Sequence, residues 1–124
     1  MFHYLLDDEG NPVLTTNTIE WARGIDADER RFVGKTTFFG TKTTVRTIFL
    51  GMSYLDPPID LFELAVINPQ KEDLITRCAT WEEAVQSHQE IVRSLADKYR
   101  IKTNVVRESP RIDRKSIWDR LSQD

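Results

Sequence analysis

Few residues in this chain can do chemistry. Its 124 residues include two histidines and one cysteine. His88 is the most suggestive of them. An imidazole titrates near neutral pH and can act as a general base or a ligand. Asp60 and Glu63 are the carboxylates that a neighbouring strand could bring to it. Together they would make the constellation of a small hydrolase. A structural reading competes with this one. His88 falls on an apolar stripe about two helical turns after Trp81, where it would fill a semi-polar core site and bond a strand carbonyl. The stripe favours the structural reading. His3, on a terminal strand, is expected to be structural as well.

Cys78 alternates with inward-facing residues of an apolar strand and is expected to be a small buried hydrophobe. A reactive thiol needs a nearby cation, and Arg77 should point to the opposite face. Carboxylates gather at Asp7-Asp8-Glu9, at Asp26, Asp28 and Glu29, and at Asp56, Asp60 and Glu63. A hydrolytic metal site needs carboxylates that converge from several elements. Each of these groups lies in or beside a turn, where solvation is the expected role. The glycines at 10, 24, 34, 40 and 51 do not have the spacing of a phosphate-binding loop. HExxH and GxSxG are absent. The sequence therefore implies no catalytic residues, no cofactor and no metal.

The elements that position these residues are legible in outline. Phe2 to Leu6 reads as a first strand, with Val13-Leu14 as the return arm of a hairpin. Asn17 and Glu20 form a capping box that opens a short helix through Ile19, Trp21, Ala22 and Ile25, with Gly24 as a plausible end. Phe32–Phe39 and Lys42–Leu50 read as a long hairpin, rich in the threonines that suit a pleated surface. Pro57-Pro58 bars regular structure from the loop after Gly51. Leu61 to Ile67 is the most apolar strand, and Leu74 to Cys78 could pair back on it. Thr80 and Glu83 cap a helix running to Tyr99 or Arg100, with Trp81, Ala84, Val85, His88, Leu95 and Tyr99 on one stripe. Val105-Val106 suggests an edge strand.

These elements predict an α+β fold. An antiparallel sheet of about four to five strands is packed on one face by the long helix of the C-terminal half, with partial cover from the short N-terminal helix. Residues 1–100 form a single domain. Residues 101–124 form a basic extension, with a short helix at 112–121.

Charge divides the chain the same way. Residues 1–92 carry 8 basic against 15 acidic side chains, a balance of −7, and residues 93–124 carry 9 against 5, a balance of +4. The acidic body argues against nucleic-acid binding, and the basic arm lacks the several stacking aromatics such binding uses. The arm does hold Trp118, Arg111 and Arg114, residue types that anchor protein interfaces. The exposed loop Tyr54–Pro58, with Tyr54 foremost, is the other contact candidate. No apolar run approaches the roughly 20 residues a membrane-spanning helix needs. The N-terminus lacks the basic region of a secretory signal, and a lone cysteine fits a reducing, cytoplasmic setting.

Four stretches add a resemblance. Asn17 to Ala22 with Trp21, Thr44-Val-Arg-Thr-Ile-Phe-Leu-Gly51, Leu61-Phe-Glu-Leu64, and Thr80-Trp-Glu-Glu-Ala84 with His88 occur in this order. The order resembles a group of short uncharacterised bacteriophage and prophage proteins that carry patterns such as TxFLGL, LFETMIF and TWEEAxxGH. It spans residues 1–95. The chain departs from it at Met52, at Leu64-Ala65-Val66 and at Ser87. The group has no assigned activity, so no residue role transfers. The resemblance implies an origin on a phage or other mobile element. The expected function is then a non-enzymatic accessory protein that binds a host or phage protein, such as a host defence or replication factor, in the host cytoplasm. The alternatives are a homo-oligomeric virion or assembly component and the hydrolase of His88, Glu63 and Asp60.

Overall fold

The computed structural model describes residues 1–38, 40–99 and 105–108. The chain forms strands β1 (Phe2–Leu6) and β2 (Pro12–Thr15), helix α1 (Thr18–Ala27) and a 3-10 turn at Glu29–Arg31. Strands β3 (Phe32–Phe38), β4 (Thr43–Phe49), β5 (Met52–Ser53), β6 (Phe62–Ile67) and β7 (Glu72–Cys78) follow. Helix α2 (Trp81–Tyr99) and strand β8 (Val105–Glu108) complete the order. The fold is α+β, with two antiparallel sheets. One sheet has the order β7-β6-β4-β3-β8, and the other, smaller sheet has the order β2-β1-β5.

Both helix starts form as their capping residues dictate. The Asn17 side chain accepts the Glu20 N–H at 3.0 Å. The Thr80 hydroxyl accepts the Glu83 N–H at 3.2 Å and donates to the Glu83 carboxylate at 3.0 Å. Helix α1 runs past Gly24 to Ala27, so Gly24 is not its end. A Cβ there would lie 3.0 Å from both methyl carbons of Leu5, so glycine serves close packing on β1. Ile19, in the first turn of α1, is exposed.

Helix α2 lies across one face of the larger sheet. Its buried residues Trp81, Ala84, Val85 and His88 recur at three- and four-residue spacing, as an amphipathic helix requires. The core has two parts. Val33, Phe49, Leu61, Phe62, Trp81 and Val85 pack with Tyr4 and Leu6 of the small sheet. Phe38, Val45 and Leu64 pack under Ile91, Val92 and Leu95. Burying each such side chain contributes about 1.5–3 kcal/mol. The opposite sheet face is mixed. Its Arg77–Glu63 and Arg46–Glu72 ion pairs, at 3.2 and 2.6 Å, bridge neighbouring or near-neighbouring strands beside Ile48 and Ile67. Strand β6 is interior, as its apolar character predicts, and β8 is an edge strand paired with β3.

Candidate functional site

His88 sits between the two parts of the core. Along α2 it follows Val85 and precedes Ile91. Thr47 stands between Val45 and Phe49 on β4, and Thr36 lies two residues before Phe38 on β3. All three polar residues are at most 1% exposed. The His88 Nε2 is 2.9 Å from the Thr36 hydroxyl, and Nδ1 is 2.8 Å from the Thr47 hydroxyl. A neutral imidazole has one donor and one acceptor nitrogen, and a hydroxyl can play either role. Either tautomer is therefore satisfied. The sequence reading expected a strand carbonyl as partner, and the structure supplies two threonine hydroxyls instead.

The proposed hydrolase set does not assemble. Glu63 lies opposite Ile48 in the ladder, one residue out of phase with Thr47 and Leu64, and so faces the other side of the sheet. There it pairs with Arg77. Asp60 lies in the loop before β6. Among the described residues, no three His, Cys, Asp or Glu side chains are grouped as a metal site would require. Cys78 is half-buried rather than buried. Burial pushes its thiol up to about 11, and nearby Glu83 adds to the shift. The thiolate needed for nucleophilic chemistry is scarce at neutral pH. His3 packs against Trp21, with ring centroids 4.6 Å apart and planes tilted by 55°.

Tyr54 occupies the opposite kind of environment. It is 76% exposed, and Leu55 and Ile59 beside it are 45% and 61% exposed. The base of their loop is fixed. The Leu50 N–H donates to the Leu61 carbonyl at 2.7 Å, which closes the loop ends. The Gly51 carbonyl accepts the Tyr4 N–H at 2.8 Å and the Trp21 indole N–H at 3.0 Å. Gly51 has φ +73°, and a Cβ there would meet the Ile25 side chain at 2.8 Å and the Tyr4 carbonyl at 2.9 Å. Glycine is required at that position. The buried Ser53 hydroxyl accepts the Leu55 N–H at 2.9 Å and shapes the first turn. The peptide bond before Pro57 is cis. Loops whose ends are held together like this often carry function.

A second apolar feature lies where α1 meets the larger sheet. Trp21, Ile25, Phe32, Ile48, Phe49 and Leu50 line a cleft of about 340 Å³ with Arg31. Phe32 is 50% exposed, and the Arg31 guanidinium lies 4.8 Å from its ring centre. Sequence reasoning missed this cleft, because its residues come from three separated stretches. It also missed Ile59, one residue beyond the loop Tyr54–Pro58. The signal available was the density of large apolar residues in a proline-rich loop. Arg111, Arg114 and Trp118, the other contact candidates, lie outside the described residues.

No helix among the described residues is long and apolar enough to cross a membrane. Comparison of the chain with protein-family models, with curated proteins and with solved structures finds no match.

Proposed function

We propose that this protein acts without catalysis, by binding another protein through the loop Tyr54–Ile59. One observation carries the reading. Three large apolar side chains stand in solvent on a loop whose two ends are locked to the body. A pre-ordered loop loses little conformational freedom on binding, and tyrosine is a favoured anchor. The resemblance to phage and prophage proteins makes a host or phage protein in the host cytoplasm the partner class. Arg111 and Arg114 remain candidate contacts on the C-terminal arm.

A photo-activated crosslinker at position 54, compared with one at Glu90 on the exposed side of α2, tests this in host cells expressing the protein. Position 54 should capture one defined protein that position 90 does not. Tyr54→Ala should then weaken binding to that purified protein by about 2 kcal/mol. Equal capture from both positions, or none from either, would sink the reading.

One observation favours self-assembly as a second reading. Strand β7 is a sheet edge with Leu74 and Ile75 about half exposed, and such an edge can pair with another copy. Sedimentation that stays monomeric at high concentration counts against it.

A further inference from the structure

The cleft beside Phe32 has an occupant within reach. Strand β8 runs antiparallel to β3, with Val105 opposite Phe38 and Glu108 opposite Lys35. The chain leaving Glu108 is therefore directed toward the Phe32 end of β3. At strand spacing, about three more residues reach the level of Phe32. Position 110 is a proline, with no N–H to give to a sheet ladder. Beyond it come Ile112, Ile117, Trp118 and Leu121, interleaved with Arg111, Arg114, Lys115 and Arg120. The cleft offers the complement. Its lining is largely apolar, and its volume of about 340 Å³ can hold one large aromatic side chain. Its rim presents both signs of charge, because Arg31 pairs at 3.5 Å with Asp26, whose carboxylate is 82% exposed. The body up to residue 92 carries −7, and the remainder carries +4. A connection of only a few residues keeps the effective concentration of the segment in the millimolar range, so even modest contacts suffice.

We infer that the segment Ile112–Leu121 of this same chain docks in the cleft lined by Trp21, Ile25, Phe32 and Ile48, with Trp118 as its anchor. The docked segment covers Phe32. This assignment is independent of the Tyr54 loop, which lies on a different segment.

Methyl NMR of the full chain tests it. The indole ring of Trp118 should shift the δ-methyl signals of Ile25 and Ile48 and leave that of Ile19 unmoved. Trp118→Leu should remove the shift. A nitroxide at Ser116→Cys, in a Cys78→Ser background, supplies a second readout. Signals from Ile25 and Ile48 should broaden when the labelled molecule is diluted in unlabelled protein. They should stay sharp when spin label and observed isotope are on different molecules. Broadening only in the mixed sample would place the segment of a second copy in the cleft and overturn the inference. So would unmoved methyl signals together with no broadening in either sample.

Discussion

The His88 layer and the Tyr54 loop invert the usual distribution in opposite directions. One puts an imidazole and two hydroxyls inside the core, and the other puts a tyrosine, a leucine and an isoleucine in solvent. The inward exception is balanced within the molecule, since both ring nitrogens of His88 meet a hydroxyl at 2.8–2.9 Å. A buried polar group costs little when it is bonded and much when it is not. The outward exception has no such balance among the described residues. An isolated exposed apolar residue needs no explanation, but three on a fixed loop form a surface. The comparison separates a polar residue that organises the core from apolar residues that are offered outward. It also explains why the most chemically suggestive residue of the sequence is not at the candidate site.

The sharpest way to break the comparison is to remove the imidazole. His88→Ala leaves a cavity between the two parts of the core and takes a partner from each of two buried hydroxyls. The expected loss of stability is about 3–4 kcal/mol, read by urea unfolding. Thr47→Val keeps the shape and removes one hydroxyl contact, so it should cost less, about 1–2 kcal/mol. A loss below about 1 kcal/mol for His88→Ala would mean the layer is peripheral to the core, and the contrast with the loop would collapse.

What was legible in the sequence follows the range of the interactions. The N-cap bonds of Asn17 and Thr80 are local, and both form where the residue types place them. Thr43, Val45, Thr47 and Phe49 alternate with Thr44, Arg46 and Ile48 in the sequence, and the structure buries the first set because side chains alternate across a strand. Gly24 was misread as a helix end because its reason, Leu5, is a contact across elements. The hydroxyl partners of His88 lie 52 and 41 residues away, beyond any local pattern. The smaller sheet was hidden for a related reason. Strand β5 has two residues, too few to show a period, and it is defined by pairing with β1. The exposed loop was partly legible, since its prolines mark Tyr54–Pro58, but the exposure of Ile59 depends on the body beneath it.

Asp28 sharpens the same contrast at a middle magnitude, because it is polar, partly buried and internally paired. Its carboxylate accepts the Arg30 backbone N–H at 2.9 Å and the Arg30 guanidinium at 2.8 and 2.9 Å. The guanidinium also donates to the Leu6 and Asp7 carbonyls, tying the end of α1 to β1. Burial alone would raise the Asp28 carboxyl, but the hydrogen bonds and charge of Arg30 outweigh it and hold the carboxyl below its ordinary 3.8. The sign follows. A carboxyl depressed in the folded state stabilises above its unfolded value and loses that contribution as pH falls through the folded value. Asp28→Asn, which keeps the cap but removes the charge paired with Arg30, should therefore cost up to about 1 kcal/mol near neutral pH, and the gap to the parent should close below pH 3.8. A gap that stays constant into acid would show that the charge contributes nothing.

The smallest expected effect tests the outward exception. Tyr54→Ala, Leu55→Ala and Ile59→Ala should each change stability by no more than about 0.5 kcal/mol, as surface substitutions do. The loop is held by backbone and Ser53 contacts, from Leu50 to Leu61, Tyr4 to Gly51 and Leu55 to Ser53, and none of these uses the three exposed side chains. Urea unfolding of the three variants against Ser53→Ala makes the measurement internal. Ser53 is 3% exposed and its hydroxyl bonds Leu55, so its loss should cost more than any of the three. If the apolar variants instead cost as much as Ser53→Ala, the side chains stabilise their own loop, and their exposure needs no partner to explain it. If they are silent in stability while Ser53→Ala is not, large apolar groups are being kept in water without any folding benefit, and binding is the use left for them.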